Sequence, residues 1–538
     1  MMKKLFEKIN MQPRQLVLCG VFSALFALAC VLGRCIYYYG GIKGTPGDNF
    51  MRMPNGGDIP IFLGCALICF ILIVILYRLC DKFALSPAEG GNEKRFAMIA
   101  FVLLQLSVLP YLLSFYPGLI SGDALSSMEK LLEVGRPTSN HHPILYSYIL
   151  LFFLRIGELS FGHNFGLFLY SLTQSVIVNI CVVYMLVRLR RMGVHKLILA
   201  LCLAYFILIP LFAANAVSFW KDPLYSCALL LLSIELYDCA KLKELGRKEY
   251  TRLILLSFWT AFIRNNGIYV LVVTALVLFI MYRRNRAKTA AIFGAFIVFY
   301  SVLTSAGYKA FDIKQEFVES VGIPLQQIGA VIYGSDTADD FNMTEEEQEY
   351  FYTLMGQYIW METYSPCLVD TIKWNAAFDE EFLEQTKVEF IKHWIHVVLE
   401  HPAVVVRAYF METHGFWKLF AQDDYGYADF LTKEVNEYGA ADIRMSDKLQ
   451  EWFGISLAPA LSHKGFMLGR GTLFWLTALA FLVIILRKSP AWLACVPALA
   501  NWLFVMASTP AAYGMRYVYI FALGLPFFLC LAFVKNEH

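Results

Sequence analysis

A few polar residues stand out chemically against apolar surroundings. Asp123 ends the stretch Tyr116-Pro-Gly-Leu-Ile-Ser-Gly-Asp123, just after an apolar run. A carboxylate at the mouth of a membrane cavity can act as a general base. At the start of a short helix it serves equally well as a cap. Glu129 is the next acid along the same loop. His141 and His142 come directly before Pro143. Adjacent histidines point in different directions on most backbones, so they make a poor metal pair. They also suit a polar interface ahead of a Pro-started helix. No metal site is assigned.

The cations form a second group. Lys221 and Asp222 lie in Trp220-Lys-Asp-Pro223, Arg264 opens Arg264-Asn265-Asn266-Gly267, and Arg516 lies in Tyr513-Gly-Met-Arg-Tyr517. A charge at the centre of a membrane helix costs about 2.5–3.5 kcal/mol on insertion scales, so such residues are seldom idle. Arginine grips phosphate with a two-pronged fork, and lysine binds it as a point charge. The amides of Asn265 and Asn266 would complete an anion site around Arg264. The plainer readings are an interfacial Lys221–Asp222 ion pair and an Arg516 that snorkels to lipid head groups. Gln326 and Gln327, in Ile323-Pro-Leu-Gln-Gln-Ile-Gly329, suit sugar hydroxyls, although the plainer reading is a capped helix of the outer domain. The run Glu345-Glu346-Glu347 reads as a solvated helix face.

The elements that hold these residues are membrane helices. The 538 residues are 58 % hydrophobic and 16 % charged, and the mean hydropathy is +0.55. Soluble domains carry about 25 % charged residues. Disorder, collagen-like chains and an ordinary soluble enzyme are thereby excluded. The formal net charge of +2 gives no electrostatic case for nucleic acid. Cysteines such as Cys19, Cys65, Cys69, Cys181, Cys202 and Cys227 lie in apolar stretches and read as small hydrophobes.

Apolar runs of spanning length cover 16–38, 59–79, 96–115, 164–187, 197–214, 222–240, 289–308, 471–486, 491–508 and 513–534. The first follows a basic N-terminus and is too long for a signal peptide, so it reads as an uncleaved span. The run 144–154 is too short to span, and counting it would place Arg188, Arg190 and Arg191 outside. Segments 122–134 and 143–157 are therefore expected to be outer juxtamembrane helices. Residues 253–263 and 267–282 are apolar, with basic residues at both far ends. They predict a hairpin of two short helices with Arg264-Asn-Asn-Gly267 at its outward tip. The alternative is one continuous helix over 253–282.

The expected fold is an all-α polytopic membrane protein of about eleven to twelve crossings, with both termini cytoplasmic. Residues 1–95 supply two N-terminal helices and 96–308 a transmembrane catalytic module with the outer loop 116–163. Residues 309–466 form a mostly helical extracytoplasmic domain, and 467–538 supply the C-terminal helices. Within that domain 379–399 and 402–420 read as amphipathic helices, and Thr344 with Glu347 has capping-box spacing.

Asp123, a short helix, and His142-Pro143-Ile144-Leu145-Tyr146 leading into an apolar juxtamembrane helix together resemble the type C glycosyltransferase (GT-C) superfamily. Residues 161–193 resemble its next span with a basic cytoplasmic end. The polar turn at Trp220-Lys221-Asp222-Pro223 and the broken hairpin are also similar. The resemblance covers roughly 96–308, and Ile323–Gly329 and Tyr513–Tyr517 look like features of a bacterial branch. It implies a multi-span transferase of the cell membrane that takes sugar from a polyprenyl-phosphate donor on the outer face. The acceptor would be an extracytoplasmic glycan, lipid or protein. Asp123 would be the catalytic base, and Arg264, Arg516 and Lys221 would hold the donor phosphate. Glu129, His141, His142, Tyr146, Asp222, Asn265, Gln326 and Gln327 complete the expected substrate contacts. Asp123 has no second acid beside it, which leaves open the divalent metal that some relatives carry. The rival classes are a lipid-glycan transporter or flippase, for which inverted repeats are wanting, and a membrane glycan polymerase or ligase.

Overall fold

The computed structural model describes residues 11–86, 92–120, 124, 128, 131–140, 142–335, 343–421, 451–452, 468–509 and 511–534. The chain is mostly helical, and its long apolar helices are consistent with an all-α polytopic membrane protein. Among the described residues, seven helices are long and apolar enough to cross a membrane, or eight if the bent pair Lys196–Leu208 and Pro210–Ala216 is one span. Gly267–Met281, Arg470–Leu486 and Met515–Leu531 are apolar but shorter. The larger number expected from sequence counts such short helices as full crossings.

Several boundaries differ from the sequence expectation, each for a local reason. The first helix ends at Cys35, and Ile36–Tyr38 pairs antiparallel with Asn49–Met51. Branched and aromatic residues followed by Gly40 and Gly41 favour a β-hairpin there. The Asn49 side chain closes its turn by accepting from the Tyr39 amide and donating to the Gly41 carbonyl. The run 197–214 bends by 61° at Ile209–Pro210. Proline lacks the amide donor and forces the preceding residue out of helical geometry, so Ile209 is extended. The last run is helical only over Tyr519–Leu531, after a 3-10 turn at Met515–Val518. The expected helix 379–399 breaks at Thr386 into Glu380–Gln385 and Lys387–Glu400. The helix expected over 402–420 stops at Thr413 and tightens into a 3-10 turn at His414–Phe416. Most of the expected helix 122–134 lies outside the described residues.

Asp222–Ala240 is the most buried of the spanning helices. It packs against His163–Arg191, Arg247–Ile263, Val496–Ser508 and Tyr519–Leu531. The helices Pro13–Cys35 and Ile59–Lys82 run along one another and lean on Arg470–Leu486.

The segment around Arg264 is a hairpin, which excludes the continuous helix. Arg247–Ile263 and Gly267–Met281 are antiparallel neighbours. At their far ends the Asn285 side chain bonds both the amide and the carbonyl of Leu245. At the tip a Cβ on Gly267 would lie 1.9 Å from the Thr260 carbonyl oxygen, so only glycine allows the two helices to meet.

Residues 318–408 bury a core of their own, built on Leu325, Ile328, Phe351, Trp360, Ile372 and Phe390. This head sits on the bundle through several contacts. The Ala512 amide donates to the Cys367 carbonyl at 2.8 Å, and Ser365 Oγ donates to the Ile42 carbonyl at 2.9 Å. The expected capping box is present at Thr344 and Glu347. Glu345 and Glu346 are exposed as expected, but Glu347 is buried and bonds His396, because the box turns its carboxylate inward.

Candidate functional site

Five of the polar residues flagged in the sequence, His142, Lys221, Asp222, Arg264 and Arg516, come together. The turn before Asp222–Ala240 is fixed first. Gln174 Nε2 donates to the carbonyls of Ser218 at 2.6 Å and of Asn215 and Ala216 at 3.2 Å, satisfying buried acceptors that a break in the helix would orphan. The Leu119 amide donates to Val217, and the Phe219 amide donates to Leu119. Gly118 permits this approach: its φ is +150°, and a Cβ there would lie 2.2 Å from Ser171 Oγ. The Tyr146 hydroxyl donates to the Phe219 carbonyl at 2.8 Å. The tyrosine of the His-Pro-Ile-Leu-Tyr motif is therefore buried and holds the turn that presents Trp220, Lys221 and Asp222.

Asp222 and Arg264 form a buried ion pair, with Arg264 Nη1 2.5 Å from Asp222 Oδ1. The Arg247–Ile263 helix ends there because Arg264 is extended. Asp222 is the first residue of its own helix, where the helix dipole favours a carboxylate. The guanidinium lies 5.4 Å from the Tyr225 ring centroid and 5.2 Å from that of Tyr517. Tyr225 and Tyr517 are both tied to Asn501, through the Tyr225 hydroxyl and the Tyr517 carbonyl. The expected Lys221–Asp222 pair is not made. Lys221 Nζ instead lies 3.3 Å from His142 Nδ1, which accepts from the ammonium. Arg516 rests over Trp220 at 5.3 Å and Tyr517 at 5.0 Å, and it donates to the Tyr517 hydroxyl. It is packed on aromatic rings and does not reach away from the protein.

Asn265 Nδ2 donates to the Asn140 carbonyl at 2.8 Å, and Asn140 Oδ1 accepts from the Glu316 amide. This joins the hairpin tip to the loop before His142 and to the entry of the head. Lys221, Arg264 and Arg516 thus share one neighbourhood with Asp222, and among the described residues three cations meet there beside aromatic rings.

Gln326 and Gln327 belong to the head. Both are buried in the head: Gln326 donates to the Ser365 carbonyl at 2.6 Å, and Gln327 accepts from the Trp394 indole at 2.8 Å. These bonds tie both side chains into the head, and the Gln326 amide oxygen is buried without a hydrogen-bond partner among the described residues. Asp123, Glu129 and His141 lie outside the described residues. Ile120 and Ala124, on either side of Asp123, are buried in one cluster with Tyr146 and Phe219.

A family profile described as a family of unknown function, DUF6020, matches residues 137–538. The chain belongs to the DUF6020 family. No curated protein and no solved structure matches it. The DUF6020 region includes Lys221, Asp222, Arg264, Asn265 and Arg516 and begins after Asp123.

Sequence reasoning missed a second polar group where the head meets the bundle. His414 Nδ1 donates to the Met411 carbonyl, which leaves Nε2 to accept from the Tyr513 hydroxyl at 2.6 Å. Burial pushes the imidazole down to about 3, so it is neutral at physiological pH. Glu412 is fully buried, and neither carboxyl oxygen has a hydrogen-bond partner among the described residues. Burial pushes this carboxyl well above its ordinary value; Asp370 adds to the shift and Lys373 opposes it. The sequence signal was available: Glu412-Thr413-His414 interrupts an otherwise aromatic and apolar stretch.

A raised folded-state pKa means that the contribution of Glu412 to stability is complete below the unfolded value and is lost as pH rises towards the folded one. Glu412→Gln stays neutral throughout. Its melting temperature in detergent is expected to rise relative to wild type between pH 4.5 and 8. The opposite slope would mean that Glu412 is ionised and paired.

Proposed function

We propose that this chain is a membrane glycosyltransferase of GT-C type. It would transfer a sugar from a polyprenyl-phosphate donor to an extracytoplasmic acceptor. The observation that carries the reading is the cationic, ring-lined cluster of Arg264, Arg516 and Lys221 beneath a folded head. A phosphate at the end of a long apolar chain matches a cation cluster at the end of an apolar bundle. The reaction is a displacement at the anomeric carbon through an oxocarbenium-like transition state. Polyprenyl phosphate is a good leaving group, so the task of the protein is to stabilise its developing charge and to deprotonate the acceptor. Arg264 and Arg516 would take the first role and Asp123 the second. Asp222 holds the Arg264 fork in place, and His142 and Asn265 orient the surrounding turn. Residues 309–466 would face outside, with both termini inside.

The direct test is radiolabelled sugar transfer from a polyprenyl-phosphate sugar by the purified protein in lipid vesicles. Movement of the lipid-linked sugar across the bilayer without chemical transfer would favour a transporter. Sidedness is tested separately. In a cysteine-free background, a membrane-impermeant thiol reagent added outside is expected to label Ser139→Cys and to miss Ala287→Cys. Equal labelling of both positions would remove the assignment of sides.

A further inference from the structure

The head brings together one histidine and two glutamates that the glycosyl-transfer reading leaves unused. Glu347 Oε1 lies 2.8 Å from His396 Nδ1, and Glu400 Oε1 lies 3.5 Å from His396 Nε2. One imidazole nitrogen and one oxygen from each carboxylate lie within 4.8 Å of one another. The three side chains come from two elements. His396 and Glu400 are one turn apart on the helix Lys387–Glu400, so both emerge from the same face. Glu347 reaches them from the helix Glu345–Leu354, 49 positions before His396. The two helices also meet at Tyr350, whose hydroxyl is 2.7 Å from Thr386 Oγ1 and whose ring centroid is 4.6 Å from that of His393.

The three ligands differ in freedom. The Glu347 side chain is 3 % exposed, and its Oε2 accepts from the Thr344 amide at 2.9 Å and from the Thr344 hydroxyl at 2.8 Å. The capping box thus fixes this carboxylate and leaves Oε1 turned towards His396. Carboxylates that bind metal are held in the same manner, by hydrogen bonds from outside the coordination shell. The side chains of His396 and Glu400 are 49 % and 44 % exposed, so an ion reaches them from solvent and both are free to turn towards it. Around a tetrahedral zinc ion with bonds of about 2.0–2.1 Å, ligand atoms stand roughly 3.3 Å apart. Rotation of the two exposed side chains closes the remaining gap while Glu347 stays in place. Glu346 adds a further negative charge that acts on His396.

We propose that Glu347, His396 and Glu400 bind a divalent metal ion, zinc by ligand type, which clamps the helix Glu345–Leu354 to the helix Lys387–Glu400. Two carboxylates and a neutral imidazole balance two positive charges. An imidazole ligand suits zinc, whereas magnesium and calcium take oxygen. Three protein ligands leave a fourth position for water. The clamp is independent of glycosyl transfer: none of its residues belongs to the group of Lys221, Arg264 and Arg516, and its effect is on the stability of the head.

The test uses the full-length, untagged protein in detergent, stripped with EDTA and then supplied with zinc chloride or calcium chloride. After gel filtration, wild type is expected to hold one more zinc ion per chain than His396→Ala or Glu400→Gln, and to melt higher with zinc than without it. The cysteines are the same in all three proteins, so zinc held by thiols cancels. Both substitutions fall on exposed side chains, and in EDTA both variants should melt near wild type. Thr344→Val removes the hydroxyl that holds Glu347 and should weaken zinc binding about 10–100-fold, while Thr344→Ser should keep it. Equal zinc content in wild type and both variants, or a zinc-dependent rise in melting temperature that survives His396→Ala, overturns the site. A larger rise with calcium than with zinc overturns the assignment of the metal. Zinc content and melting are read without any transfer assay, so failure of the clamp and failure of the transferase reading are separate results.

Discussion

Asp123→Asn is expected to slow sugar transfer about 10²–10⁴-fold, the usual contribution of a general base, with expression and donor binding near wild type. An aspartate in water is ionised at neutral pH and accepts a hydrogen bond from an acceptor hydroxyl. Asparagine keeps the size and most of any helix-capping role, but it removes the charge and the basicity. A capping residue would behave differently, with little loss in the Asn variant and a modest loss of stability in Ala. Leu119 is hydrogen-bonded to Val217 and to Phe219, the latter three residues before Asp222, and Ile120 and Ala124 are buried with Tyr146. The measurement is initial rate against acceptor concentration at saturating donor. Transfer by the Asn variant at the wild-type rate would make Asp123 structural and move the search for the base to Glu129 and His142.

Arg264→Ala is expected to act twice. Activity should fall about 10²–10³-fold, the cost typical of removing one preorganised donor from developing negative charge. Stability should fall as well, because Asp222 is left buried without its counter-ion. Removing one partner of a buried pair costs about 3–5 kcal/mol. The two effects separate in a double variant. Arg264→Met with Asp222→Leu removes both charges and should recover most of the stability without recovering activity. Arg264→Lys should rescue activity only in part, since the ammonium lacks the planar fork and the stacking on Tyr225 and Tyr517. Thermal unfolding in detergent and donor-dependent turnover, read on the same preparations, decide it. Wild-type donor affinity and turnover in Arg264→Ala would take Arg264 out of the site.

Much of the architecture was readable locally. Apolar runs of spanning length and basic flanks marked the helices. The flanking charges around 253–282 marked the hairpin, because a polar tetrad at membrane depth needs either a cavity or a turn. The box at Thr344 and Glu347 was legible because capping chemistry depends on residues three apart. The strongest candidate residues were legible for a related reason: Lys221, Asp222, Arg264 and Arg516 are costly charges in apolar context, and that cost is visible in one dimension.

Their partners were not visible. Asp222 has Lys221 as its chain neighbour, yet it pairs with Arg264, 42 positions away, because the hairpin tip is delivered onto the first turn of the Asp222–Ala240 helix. Lys221 turns to His142, 79 positions away, and Arg516 to Trp220. Gln326 and Gln327 read more readily as part of an outer-domain helix than as sugar ligands, but their bonds to Ser365 and Trp394 could not be seen in the sequence. Glu412 and His414 acquire meaning only when the head is seated on residues 511–517, where Tyr513 meets His414. The sequence by itself determined a membrane bundle, its broken hairpin and which charges are too expensive to be incidental, since helix length, hydropathy and caps depend on near neighbours. Which charge meets which ring or carboxylate was decided by the tertiary structure alone, because those contacts join segments whose separation along the chain carries no periodic signal.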